Sequence, residues 1–122
     1  MEAPMYSAGV LDHFRNPRNV GVLPPPALIV DVSNPACGDT LRLSARFDQG
    51  RVAQARYQSR GCTASIASGS ALTEWMIGRS RAELDALTTA AVEELVGGLE
   101  PASKHAAALC VEGVRKLLAA LS

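Results

Sequence analysis

The side chains of this chain best equipped for chemistry are two thiols, a carboxylate and an imidazole. Cys37 sits in Asn34-Pro35-Ala36-Cys37-Gly38-Asp39, a Pro/Gly turn that ends in a carboxylate. Cys62 sits in Arg60-Gly61-Cys62-Thr63-Ala64-Ser65, a turn that feeds an apolar helical stretch. Thiols at two chain reversals, one of them beside Asp39, point to soft-metal chemistry, and His105, far downstream, is a candidate to complete the set. Thiolate and imidazole hold zinc and iron–sulfur centres, whereas a carboxylate oxygen is a weaker and more exchangeable ligand for such metals. There is no Cys-x-x-Cys, so a metal site has to be assembled by folding from residues far apart in the chain.

Each of these residues also has a plainer reading. A lone cysteine is commonly a small buried hydrophobe. Cys37 argues against that because Pro35 and Gly38 mark a loop, and loops run over the surface. Asp39 suits a turn by itself, but beside Cys37 it becomes a ligand or a base for the thiol. Cys62 follows Gly61, which permits a tight turn, and precedes a helix start whose N–H groups and dipole favour thiolate. A single histidine is most often a surface residue; this applies to His105 and equally to His13, which has no thiol near it in sequence. Cys110 shares an apolar stripe with Val114, Leu117 and Leu121 and reads as core. Its spacing from His105 puts the two on different helix faces. A cysteine-nucleophile enzyme, with His105 activating Cys62, lacks any accompanying nucleophile-elbow or protease motif.

The elements that must position these residues follow from pattern. Ser7 caps a short helix carrying Val10, Leu11 and Phe14, which Asn16-Pro17 ends. After the stiff Pro24-Pro25-Pro26 connector, residues 27–32 read as a strand. Residues 41–47 alternate apolar and polar as a half-buried strand does, Asp48-Gln49-Gly50 turns the chain, and residues 52–59 return as a third strand. Residues 63–77 read as a helix closed by Gly78, and Ser80-Arg81-Ala82-Glu83 is a capping box. A short helix over residues 90–96 stops at Gly97-Gly98, and a last helix runs from about Pro101 to the C-terminus. Strands first and helices after predict an α+β fold: a small three-stranded antiparallel sheet with helices packed mainly on one face.

Composition narrows the function. The 122 residues fit a single domain, 1–122, with room for a core. Twelve basic and twelve acidic residues leave no net charge, which argues against a nucleic-acid binder driven by a positive field. No apolar run is long enough for a membrane helix, and the N-terminal residues lack a basic-then-apolar signal pattern. Three cysteines cannot all pair within one chain, so a reducing, cytoplasmic setting is expected.

Three motifs carry a family resemblance. The stretch from Asp12 to Gly21, Asp-His-Phe-Arg-Asn-Pro-Arg-Asn-Val-Gly, resembles the opening signature of the U-type iron–sulfur cluster scaffolds, the IscU family and the N-terminal domain of NifU. The Cys37 loop resembles the first ligand loop of that family, and Gly61 to Ser68, continued by Thr73-Glu74-Trp75, resembles the second. The motifs occur in family order over nearly the whole chain. The resemblance implies a carrier, not an enzyme: an α+β scaffold that takes sulfur from a cysteine desulfurase, assembles a transient 2Fe–2S cluster on iron, and passes it to apo acceptor proteins. It implies Cys37, Asp39, Cys62 and His105 as ligands.

The chain departs from the family where the third ligand cysteine should stand, which is Ala106 here. Cys110, one helical turn later, shares a face with Ala106 and is one substitute. The alternative is a site of Cys37, Asp39, Cys62 and His105 alone, a sufficient set for zinc or a cluster. Loss of that thiol argues against standard sulfur acceptance and raises a second reading, a zinc-bound divergent homologue acting as an interaction or regulatory protein. Glu100 and Ala102-Ser103 depart from the family's Leu-Pro-Pro-Val-Lys segment, which argues against a dedicated Hsp70-type chaperone.

Overall fold

The computed structural model of the protein describes residues 6–34 and 38–121. Three strands, β1 (Leu28–Asn34), β2 (Asp39–Asp48) and β3 (Arg51–Arg60), form an antiparallel sheet in the order β1-β2-β3. Helix α1 (Ala8–Arg15) precedes the sheet; α2 (Thr63–Met76), α3 (Arg81–Asp85), α4 (Thr89–Leu95), a 3-10 turn (Pro101–Ser103) and α5 (His105–Ala120) follow it. This is the expected α+β arrangement.

The alternation along β2 decides which face is covered. Asp39, Leu41, Leu43 and Ala45 are buried, while Thr40, Arg42 and Arg46 between and beyond them are exposed. On β3, Ala55 and Tyr57 are buried and Gln54, Arg56, Gln58 and Arg60 exposed. Helix α2 lies on β3, and α5 lies across β1 and β2, so the core forms where Val32, Leu41, Leu43 and Tyr57 meet Leu72, Met76, Val114 and Leu117. Fully burying a leucine or valine of this set contributes about 1.5–3 kcal/mol. The other face stays largely polar, except where Leu23 is buried and its N–H donates to Ser44 Oγ at 3.1 Å. Val20 extends the sheet by a parallel bridge to Tyr57 on the free edge of β3.

Two contacts fix α2 on β3. Gly69 lets the Tyr57 ring approach the helix, since a Cβ there would lie 2.5 Å from Tyr57 Cδ2. The Tyr57 hydroxyl donates to the Ile66 carbonyl at 2.9 Å, and burial pushes its pKa up to about 12, so it stays a donor. Together they set the position of the first turn of α2, where Cys62 stands.

Two expected boundaries that bear on the site move. Strand β2 begins at Asp39 and not at residue 41, which takes Asp39 out of the turn and into the sheet. The last helix begins at His105 and not near Pro101. Pro101 starts a tight turn whose bonds run from Ser103 N–H to the Glu100 carbonyl and from Lys104 N–H to the Pro101 carbonyl. Proline has no N–H and a fixed φ, so it suits the first position of such a turn. His105 is therefore the first residue of a helix and is not carried within one.

Candidate metal centre

Asp39, Cys62 and His105 are brought together by three different elements. Asp39 is the first residue of β2 and pairs with Asn34 of β1, and its parity with Leu41 and Leu43 points it to the helix-covered side. Cys62 is the N-cap of α2; its carbonyl takes the Ile66 N–H at 3.2 Å, while its side chain makes no capping bond to the helix. The sulfur is instead turned toward Asp39 and His105. His105 is the first residue of α5, which packs against α2. One ligand atom from each of the three lies within 4.8 Å of the others. Cys62 Sγ is 3.7 Å from Asp39 Oδ2 and 3.7 Å from His105 Nε2, and that nitrogen is 2.9 Å from Oδ2.

Gly61 makes this approach possible. Its φ is +153°, and a Cβ there would lie 2.5 Å from Asp39 Cγ and Oδ1. The carboxylate thus rests against the bare backbone of the turn that delivers Cys62.

Asp39 is 4% exposed, so its charge needs partners. Burial raises its pKa, but hydrogen bonds from Ser65 and His105, with the adjacent imidazole and Cys62 adding to them, outweigh burial and hold the carboxyl below its ordinary value of 3.8. The Ser65 hydroxyl donates to Oδ2 in a short bond and stands 3.4 Å from Cys62 Sγ. Ser65 is the residue that sequence reasoning missed. Its signal was position: it is three residues past the N-cap, where a side chain returns to the helix start.

The geometry does not build a nucleophile relay. A general base in such a relay contacts its nucleophile through one ring nitrogen and its orienting acid through the other. Here Cys62 and Asp39 meet the same Nε2.

The remaining sequence candidates go elsewhere. Cys110 is 2% exposed within the core, where burial pushes its thiol up to about 12, and it is not in the group. Ala106 is buried as well. His13, on α1, is buried against α2, where its Nδ1 faces Ser70 Oγ at 2.8 Å and accepts from Arg18 at 2.9 Å. Burial, and then the Arg18 charge, lower its pKa. Cys37 lies outside the described residues.

The profile of the NifU-like N terminal domain matches residues 5–121. The chain belongs to the NifU-like N-terminal domain family. Curated relatives include the iron-sulfur cluster assembly scaffold protein IscU 1 of Archaeoglobus fulgidus, 36% identical over 93% of this chain and 74% of that protein. The scaffold protein IscU of Azotobacter vinelandii is 39% identical over 90% of this chain and 88% of its own length. Among solved structures, SufU of Fervidobacterium islandicum AW-1 superposes with a TM-score of 0.75 at 18% identity, over 93% of this chain and 96% of that one. That likeness shows that the family fold is shared.

Proposed function

We propose that this chain is an iron–sulfur cluster assembly scaffold, a carrier that holds iron and a transient 2Fe–2S cluster and hands the cluster to apo acceptor proteins. The observation that carries the reading is the convergence of Asp39, Cys62 and His105 from three elements in a chain whose curated relatives are named as such scaffolds. In this reading Cys37, two positions before Asp39 in the sequence, supplies the second thiolate. The ligand set is then Cys37, Asp39, Cys62 and His105. A cysteine desulfurase is the sulfur donor, and the cytoplasm is the compartment. No helix among the described residues is long and apolar enough to cross a membrane.

The donor set explains a transient hold. Thiolates and imidazole bind soft iron well, while the hard carboxylate oxygen binds it poorly and exchanges readily. Asp39 is the weak member of the set. Anaerobic reconstitution with iron and sulfide, followed by visible absorbance and transfer to an apo acceptor, tests the proposal. The native chain should develop a cluster chromophore and give the cluster up. Asp39→Ala should release it more slowly; unchanged or faster release would remove Asp39 from that role.

A second reading is favoured by one observation, the buried alanine at position 106 where the family's third cysteine is expected. In that case the same residues hold zinc, and the protein is an interaction or regulatory partner. Bound zinc that iron does not displace, with no chromophore, would decide for it.

A further inference from the structure

Ser65 stands inside the group of ligands without being one of the usual ligand types. It is 4% exposed, its hydroxyl donates to Asp39 Oδ2, and its oxygen is 3.4 Å from Cys62 Sγ. Among the described residues, every hydrogen bond to the Asp39 carboxylate falls on Oδ2: those of Ser65, His105 and Cys62.

The three donors are not equivalent once a metal is bound. A ring nitrogen that ligates a metal gives its lone pair and carries no proton, so His105 Nε2 cannot both ligate and donate to Asp39. A ligating thiolate has likewise lost its proton. The Ser65 hydroxyl keeps its proton, and Oδ2 has a second lone pair for it. A buried carboxylate left without a donor is free to swing away from this orientation. The single proton of Ser65 is already committed to Asp39. Toward Cys62 the hydroxyl therefore offers only lone pairs and does not stabilise the thiolate against metal uptake.

We infer that Ser65 is a positioning residue that holds the Asp39 carboxylate in the loaded site and so sets how that oxygen meets the cargo. The inference rests on the scaffold reading. Outer residues that orient a ligating side chain are typically worth 10–100-fold in metal affinity or activity.

The test compares the native chain with Ser65→Ala, Ser65→Thr, Asp39→Ala and the double variant Ser65→Ala/Asp39→Ala. One readout is the visible spectrum of bound cobalt(II), which reports whether an oxygen donor is in the ligand field. The other is the rate of cluster transfer to an apo acceptor. Ser65→Ala should reproduce the cobalt spectrum of Asp39→Ala and slow transfer by about tenfold or more. Ser65→Thr should restore both, and the double variant should match Asp39→Ala alone. Circular dichroism of the metal-free chains checks that the fold is kept. A Ser65→Ala chain with native spectrum and rate overturns the inference while leaving the scaffold reading intact. So does an effect that adds undiminished to that of Asp39→Ala. A native chain that binds neither cobalt through thiolate nor a cluster overturns both.

Discussion

At the scale of single residues, the site depends as much on what Gly61 lacks as on what its neighbours carry. A side chain at 61 would meet the Asp39 carboxylate at 2.5 Å and require a left-handed φ of +153°. Gly61→Ala is expected to displace the carboxylate, weaken cobalt or zinc uptake by tenfold or more, and cost about 1–3 kcal/mol of stability. Metal titration and urea unfolding measure the two effects, and native affinity in the variant would refute the contact. The sequence marks Gly61 as a turn glycine, yet its contact with Asp39 joins residues on different elements, which no local pattern encodes. Asp39 was more legible, because thiol chemistry beside it named it a ligand. Its burial was less so: the alternation is read from Leu41, and only the pairing with Asn34 carries it back to Asp39. Ser65 was not, because a serine in the first turn of a helix is unremarkable until the strand opposite is placed.

At the scale of elements, the starts of helices carry the information. The capping box at Ser80 was readable from spacing and is present: Ser80 N–H donates to Glu83 Oε1 at 3.0 Å, and Glu83 N–H to Ser80 Oγ at 3.3 Å. The Ser80 N–H, followed by the Arg79 guanidinium, draws the Glu83 carboxyl down to about 2. Because this pKa is depressed in the folded state, its stabilisation is fully present above the ordinary value of 4.5 and is lost as pH falls toward 2. The gap in urea midpoint between the native chain and Glu83→Gln should therefore be constant near neutrality and narrow from pH 4.5 downward. A gap that is independent of pH would mean the charged cap contributes nothing. The start of α5 was less legible. The apolar stripe that marks this helix begins only at Cys110, so it does not locate the start, and the turn-type bonds of Ser103 and Lys104 reveal that the helix proper waits for His105.

At the scale of the whole molecule, the order of strands and helices was enough to predict the architecture, because hairpin turns leave three short strands few other pairings. The sequence did not show how α2 and α5 dock, since that depends on close approaches such as Gly69 against Tyr57. Nor did it show that the residues around Val20 lie along the edge of β3. Since the site exists only when strand and both helices are in place, metal binding there is expected to be coupled to folding. Zinc at a hundredfold excess over its dissociation constant should stabilise the native chain by about 2.7 kcal/mol. Cys62→Ser should lose most of that gain; an equal gain in the variant would place the binding elsewhere.

The central position of β2 has a consequence for delivery. The strand that begins with Asp39 is flanked by partners on both sides, whereas Cys62 and His105 stand at the open ends of helices. The carboxylate is thus anchored on the central strand, and the sulfur and the imidazole are brought to it by the first residues of two helices. In the scaffold reading, exchange at the weakly held carboxylate oxygen then needs no change in strand pairing, and the sheet stays in place for the next load.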